Sequence, residues 1–482
     1  MSKETKRYFF IFLGFAVLLL FYFMPQVAPA IDPMGKSFEL TQSGKAGIGL
    51  FLLAGIFWVF EVIPIGVTSI AIGVLQPVFG IREAKDAFRD FMDPTVMFIL
   101  GSLLVGIAFT QCGITKRVAY KMLVLVGEDT RKILLGVFVL TALLTHVMAH
   151  TAVAGAMFPI MMSILALYGG DPTKPSKFGK ALFMGMAFSA GAGSICTMMG
   201  GARNPAAVGF FKEFTGQDIG FLEFSAALAP FGWITVFLVF FLMITIYKPE
   251  KLKVQGLRQR AQVELDKLGP ITKQEIFVLA VVGIALCTLI FKQYIPALKS
   301  MDRSIPLLAA GLVFFITNIL TVKELEKSIP WNIVLLFSGA MSIGFALWQT
   351  GAAEWMAVSW LSFIKDAPWL VFLLGISFLV LILTNFIMNV AAISICLPVA
   401  LVIAKYLGVN PEVVLYASVA MSGMPFLLLI GAAPNAIAYE SKQFTTGEFF
   451  VTGIPASLAI LAMVAILSLT FWPLIGIPAV LS

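Results

Sequence analysis

Long apolar runs alternate with short polar breaks along this chain, and most of the runs are about as long as a bilayer is thick. A helix needs roughly 20 apolar residues to cross a hydrocarbon core. Eleven stretches meet that need, near 8–29, 46–61, 63–80, 95–112, 180–211, 224–247, 276–296, 305–321, 331–350, 411–440 and 450–472. The first follows Lys3, Lys6 and Arg7, as a signal peptide would, but no small-residue cleavage site follows it, so it reads as a retained span. Two further stretches, 133–168 and 367–402, are too long for one ordinary helix and too short for two full crossings. Small or polar residues interrupt each near its middle. That pattern predicts a helical hairpin that enters the membrane and returns on the same side.

Composition narrows the class. Hydrophobic residues make up 60% of the 482 and charged residues 12%, with a mean hydropathy of +0.97. So much apolar surface excludes a soluble enzyme, and disorder needs the opposite composition. A formal charge of +7 could point to nucleic acid, but the basic residues sit in loops between apolar runs, where membrane proteins place them. Cys112, Cys196, Cys287 and Cys396 show neither a disulfide framework nor metal-ligand spacing. The fold class is an all-α polytopic membrane protein of about 11 transmembrane helices with two re-entrant hairpins. With the N-terminus inside, 21 of the 33 Lys and Arg fall on the inner side, 11 on the outer, and Arg203 within a span. That excess predicts N-in and C-out in a bacterial or archaeal inner membrane, with 248–275 as the main cytoplasmic segment.

The chain also contains itself twice. At an offset of 238, Gly101, Gly106, Ala108, Gln111 and Gly113 match Gly339, Gly344, Ala346, Gln349 and Gly351. At 239, Thr145, His150, Ala152 and Pro159 match Thr384, Asn389, Ala391 and Pro398. Five crossings separate the two starts, so the second repeat should lie upside down relative to the first. Each hairpin is followed by an irregular element, 189–209 or 422–440, in which Gly193, Gly200, Gly201, Pro205 and Pro434 break the helix. Unwound backbone at membrane depth survives only when buried in protein or lining a wet cavity. Interrupted helices in inverted repeats point to a secondary transporter with its site at the repeat interface. Half-helices beginning after His150, Asn389, Arg203 and Ala433 would present backbone N–H groups to an anion. The expected parts are scaffold 1–132, transport 133–247, cytoplasmic loop and scaffold 248–366, and transport 367–482. Amphipathic runs 114–132 and 353–366 would be interfacial helices joining scaffold to hairpin.

The order of spans, paired hairpins and paired Asn-Pro or Pro-Asn breaks resembles the divalent anion:sodium symporter family, the INDY-like carriers. Glu61-Val62-Ile63-Pro64-Ile65-Gly66-Val67-Thr68 and Asp93-Pro94-Thr95 are similar to family sequences too, and the likeness covers essentially the whole chain. It implies a homodimer whose transport part slides against a scaffold, carrying dicarboxylates, citrate or sulfate, mostly with sodium and in some members by exchange. The family's hairpin tips read Ser-Asn-Thr. Here they read Ala149-His150-Thr151 and Met388-Asn389-Val390, so one asparagine is a histidine and one threonine a valine. The resemblance implies anion contacts from His150, Thr151, Asn204, Asn389, Pro434 and Asn435, and sodium contacts from Thr145, Thr384 and Asn389, while Arg203, where Arg203-Asn204-Pro205 rearranges the family's first break, joins the anion contacts on its own charge.

Physical chemistry modifies that assignment. Imidazole is a poor sodium ligand beside an amide oxygen, which weakens the first cation site and leaves the second, around Asn389. Arg203 at a mid-membrane break suits a carboxylate or sulfate, or else it snorkels or pairs with an acid elsewhere. His146 and His150, the only histidines, lie four apart on one face; proton response, substrate binding and polar packing compete as their role. Glu61 reads better as structural pairing than as a proton relay. The expectation is a secondary carrier of small divalent anions, not an enzyme, with sodium as a possible coupling ion. Its partners would be the substrate, the bilayer and a second copy, with no nucleic acid. The alternatives are a sodium-independent or proton-coupled exchanger and a cation/proton antiporter, the last disfavoured because the central elements hold no Asp or Glu.

Overall fold

A computed structural model describes residues 3–31, 37–60, 62–169, 174–292, 294–364 and 368–481. Nearly all of it is helix; among the described residues the only strands are Ala30–Ile31 and Ser37–Phe38, paired antiparallel. Nine described helices are long and apolar enough to cross a membrane, joined by two shorter apolar ones, Ile65–Val78 and Ser304–Ile316. This differs from the eleven spans expected. Neither half of the elements within 180–211 and 411–440 qualifies, whereas three hairpin arms do. For those two runs the cause is the unwound segments 195–202 and 423–432, which divide them into shorter helices; the expected spans 46–61, 63–80 and 305–321, which fall on Gln42–Val59, Ile65–Val78 and Ser304–Ile316, do not qualify either. Side chains such as Phe12, Phe23, Phe241, Ile284 and Phe378 stay exposed on the outside of the bundle, as a hydrocarbon solvent allows.

After an N-terminal helix, Lys3–Phe23, the order of helices is repeated. Gln42–Val59, Ile65–Val78, Ala84–Arg89, Pro94–Gln111 and Ile114–Val126 come first, and Lys273–Phe291, Ser304–Ile316, Val322–Lys327, Trp331–Gln349 and Ala352–Ile364 follow later in the same sequence. The hairpins are Thr130–Leu144 with His150–Gly169, and Trp369–Phe386 with Asn389–Tyr406. Next come the broken elements, Lys177–Ser194 with Arg203–Thr215, and Pro411–Ser422 with Ala433–Tyr439. Phe221–Ile246 and Thr446–Leu469 close the two series. The runs 114–132 and 353–366 contain the helices Ile114–Val126 and Ala352–Ile364, each directly before a hairpin; residues 365–366 and Glu61 lie outside the described residues.

The two series are interleaved by packing. Arg203–Thr215, from the first broken element, lies against Asn389–Tyr406 of the second hairpin. In the mirror contact, Ala433–Tyr439 lies against His150–Gly169 of the first hairpin. Each break is thereby closed by the other half of the chain. Away from this centre, Ile65–Val78 packs on Trp331–Gln349. Their seam holds a polar clasp: Arg82 pairs with Asp90 at 2.7 Å and donates to the Ser342 carbonyl, and Gln76 donates to the Ser342 hydroxyl at 2.8 Å.

Two charged anchors hold the polar linker. Arg117 binds Glu275 through two bonds, Nε to Oε1 at 2.6 Å and Nη2 to Oε2 at 3.0 Å, and also donates to the carbonyls of Leu268, Gly269 and Pro270. This fastens the helix Ile114–Val126 to the start of Lys273–Phe291. Glu250 accepts from the backbone N–H groups of Lys177 and Phe178 and from the Tyr168 hydroxyl. Burial by itself would raise the Glu250 carboxyl, but those donors together hold it below its usual value.

Two outcomes are expected. Glu275→Gln removes one partner of a buried pair and should destabilise by about 3 kcal/mol. The double change Arg117→Met with Glu275→Leu should lose less, and both show as shifts in Tm of the purified protein. For Glu250, whose folded pKa is depressed, the stabilisation is present above the unfolded carboxyl pKa and fades as pH falls through the folded one. The difference in Tm between wild type and Glu250→Gln should therefore shrink below the carboxylate range.

Candidate functional site

The two hairpin tips and the two breaks meet around one cavity of about 300 Å³. Its lining takes Ala149, His150, Thr151 and Ala152 from the first tip and Met388, Asn389 and Val390 from the second. Ala202 and Arg203 come from the first break, and residues 430–433 from the second. Leu103, Gly106, Ile107, Pro330 and Ile333 form the opposing wall. Of the residues singled out from sequence, His150, Thr151, Arg203 and Asn389 are brought together here. Asn204, Pro434, Asn435, Thr145, His146 and Thr384 are not part of the lining.

Asn204 and Asn435 instead span the breaks. Asn204 Nδ2 donates to the carbonyls of Ser194 and Thr197, both at 2.7 Å. Asn435 Nδ2 donates to those of Pro425 and Leu428, at 2.8 and 3.2 Å. All three positions are related by one offset, 231 residues. Each asparagine thus satisfies carbonyls that the interrupted helix can no longer pair, which a buried backbone requires. Asn385, which the sequence reading missed, does the converse for amides: its Oδ1 accepts from Leu427 and Leu428 N–H at 2.8 and 3.0 Å. On the first side the Thr197 hydroxyl donates to the His146 carbonyl at 2.6 Å. The offset of 239 already pairs His146 with Asn385 as it pairs His150 with Asn389, and that was the signal available.

The cation-suited oxygens cluster behind the second tip. The Thr384 hydroxyl lies 3.0 Å from Asn389 Oδ1 and 2.8 Å from the Ser422 carbonyl, at the C-terminal end of a half-helix. Such an end carries partial negative charge. The first tip differs: Thr145 turns its hydroxyl to the Ala142 carbonyl at 2.7 Å, and His150 offers no amide oxygen. The backbone N–H of His150 donates to the Gly200 carbonyl at 3.4 Å, and its Nδ1 has no hydrogen-bond partner. His146 leaves the site altogether, its ring edge-on to Trp233 with centroids 5.6 Å apart. No group of three His, Cys, Asp or Glu able to hold a metal occurs among the described residues.

Arg203 is 1% exposed. One Nη2 bond to the Ser194 hydroxyl, 2.6 Å long, holds its guanidinium, Nε has no partner, and no acidic side chain pairs with it among the described residues. Gly201 and Gly423 make room for it: a Cβ on either would lie 2.6 Å from a guanidinium nitrogen. Thus the charge does not snorkel, and among the described residues it pairs with no acid.

Comparison with known proteins fits this geometry. Residues 7–477 match the family described as the sodium:sulfate symporter transmembrane region. The chain belongs to that family, the divalent anion:sodium symporters, and is an integral membrane protein. It is 24% identical to the sodium-dependent dicarboxylate transporter SdcS of Staphylococcus saprophyticus, over 91% of this chain and 88% of that one. An uncharacterized transporter of Haemophilus influenzae is 26% identical, over 89% and 92%. Among solved structures, the Alcanivorax borkumensis YdaH transporter shares the fold with a TM-score of 0.60 at 15% identity, covering 98% of this chain and 99% of that one.

If the two asparagines are equivalent clasps, Asn204→Ala and Asn435→Ala should each strand two buried carbonyls and destabilise by about 2 kcal/mol. Thermal unfolding of the two variants should give similar drops in Tm. A loss at one site only would show that the breaks are not held alike.

Proposed function

We propose that this protein is an elevator-type secondary carrier of small divalent anions, built from two inverted repeats whose hairpins enter the membrane from opposite faces. The observation that carries the reading is the Arg203 guanidinium: buried, without an acidic partner among the described residues, and lining a cavity shared by both tips and both breaks. An unpaired buried charge is costly, and a carboxylate or sulfate entering the cavity would supply the missing counter-charge as a charge-assisted, forked hydrogen bond. The N-terminal ends of His150–Gly169, Asn389–Tyr406 and Arg203–Thr215 add positive potential from their helix dipoles. Met388, Val390 and the apolar wall keep water from competing.

Sodium coupling belongs at the oxygen cluster of Thr384, Asn389 and the Ser422 carbonyl. Occupying both sites leaves the moving part with its charges compensated, so it can cross between faces without exposing a bare guanidinium to the barrier. The sodium-dependent dicarboxylate relatives support this reading. A second reading, exchange without sodium, draws on the fixed charge of Arg203 beside a first tip that lacks an amide oxygen. Either way the carrier would work as a homodimer in a prokaryotic inner membrane, N-terminus inside.

The test is thermal stabilisation of the purified protein by succinate, citrate, sulfate and phosphate, with and without sodium. A ligand at 100 times its Kd should add about 2.7 kcal/mol. At least one anion should stabilise the wild type, Arg203→Gln should abolish the effect, and Asn389→Ala should remove its dependence on sodium. Stabilisation indifferent to sodium selects exchange. Stabilisation by sodium with no anion effect defeats the anion-carrier reading.

A further inference from the structure

A second cavity, of about 400 Å³, lies where the first broken element ends and Phe221–Ile246 begins. Met198 lines it from the break itself, and Asp218 and Gly220 from the turn before Phe221–Ile246. Lys292, Lys299 and Arg303 line it from the stretch between Lys273–Phe291 and Ser304–Ile316. The single acid of this lining is already shared: Arg303 Nη1 donates to Asp218 Oδ1 at 3.2 Å and Lys212 Nζ to Oδ2 at 3.4 Å. Asp302, next to Arg303, accepts from the Ser304 N–H and hydroxyl at 2.8 and 2.7 Å. Lys292 and Lys299 have no ion-pair partner among the described residues.

Four cations thus meet two carboxylates at this cavity and its edge. Lysines that merely border a membrane send their charged heads singly into water. Here two of them gather with an arginine whose side chain is 11% exposed, around a space also lined by Met198, which is 1% exposed. The dipole of the 26-residue helix Phe221–Ile246 adds positive potential at its first residue, which lines the cavity too. We infer that this cavity is a second oxyanion site, separate from the one at Arg203, and that it takes a phosphate, sulfate or carboxylate group. Met198 lines this cavity and Ala202 the central one, so a single break borders both. A cleft of one charge sign concentrates counter-ions, which keeps an anion held here close to the centre. Lys299 is exposed and the Asp218 side chain is 40% exposed. Charge pairs so open to water are weak, so the anion is held loosely and adds little thermal stability at concentrations that fill the central site.

The experiment is acetylation footprinting of lysines, read by mass spectrometry on the purified full-length protein in detergent, with sulfate, inorganic phosphate or succinate against chloride at equal ionic strength. At about ten times its Kd an anion leaves about a tenth of the protein unoccupied, so labelling of Lys292 and Lys299 should slow by up to about tenfold. Lys267, exposed on the polar linker, should not change. Protection should persist in Arg203→Gln, and Arg303→Gln and Lys292→Gln, each read at Lys299, should lose most of it. A parallel arm in nanodiscs of phosphatidylglycerol or phosphatidylcholine, without added anion, separates the sources: protection by the anionic lipid alone assigns the oxyanion to a headgroup phosphate. No protection in any arm overturns the inference, as does protection that disappears in Arg203→Gln. In both cases anion-induced thermal stabilisation, and with it the carrier reading, is untouched.

Discussion

Every peptide group that leaves a helix inside a bilayer must find another partner, because no water is present to take its place. That constraint organises the centre of this molecule. Two helices are interrupted at 195–202 and 423–432, and their freed carbonyls are collected by Asn204 and Asn435 in the same pattern. The freed amides of Leu427 and Leu428 go to Asn385. Once these clasps are in place the breaks are rigid. They can then hold side chains at fixed positions and present half-helix ends to a cavity. An unclasped break would leave carbonyls and amides stranded in hydrocarbon, which is unfavourable by several kcal/mol per group.

On that framework the two repeats have diverged in charge. The second tip keeps an oxygen cluster suited to a small cation, made from Thr384, Asn389 and the Ser422 carbonyl. At the first, histidines replace both asparagines, at 146 and 150, and Arg203 brings a permanent charge to the centre. Its placement between Gly201 and Gly423 bridges the two breaks, so one side chain from the first repeat reaches the backbone of the second. The cavity is consequently lined by His150, Thr151, Arg203 and Asn389 together with apolar side chains such as Met388, Val390 and Ile430.

Much of this was legible in the sequence, for a physical reason. Span length, hydropathy and the interruption of apolar runs reflect the bilayer's thickness and dielectric, which act on local sequence. Hence the paired helices and the breaks emerged near where the structure has them, and the offsets of 238 and 239 matched positions in the same order of helices. The count of spans did not transfer. A run such as 180–211 is apolar throughout, and only the folded chain shows that its middle unwinds. Family resemblance brought attention to Asn204 and Asn435, yet sequence alone could not tell a ligand contact from a backbone clasp, since both need an amide at a break. Asn385 escaped notice although the offset of 239 pairs it with His146, because a single polar residue near the end of an apolar helix does not by itself show that it serves a distant break.

The sequence by itself determined the membrane class, the repeated order of elements and the near-absence of acids from the central elements, where Glu440 at the end of 422–440 is the exception. These are properties of composition and of short-range pattern. Tertiary structure alone decided which side chains converge. The trailing half of each broken element packs on the hairpin of the other repeat, so the cavity is assembled from segments more than 200 residues apart. Whether Arg203 finds an acid, a lipid face or an open cavity depends on those long-range contacts. The fold places it against Ser194 and two glycines, and among the described residues no acidic side chain pairs with it. Burial is a property of the assembled molecule, which is why only the tertiary structure decides it.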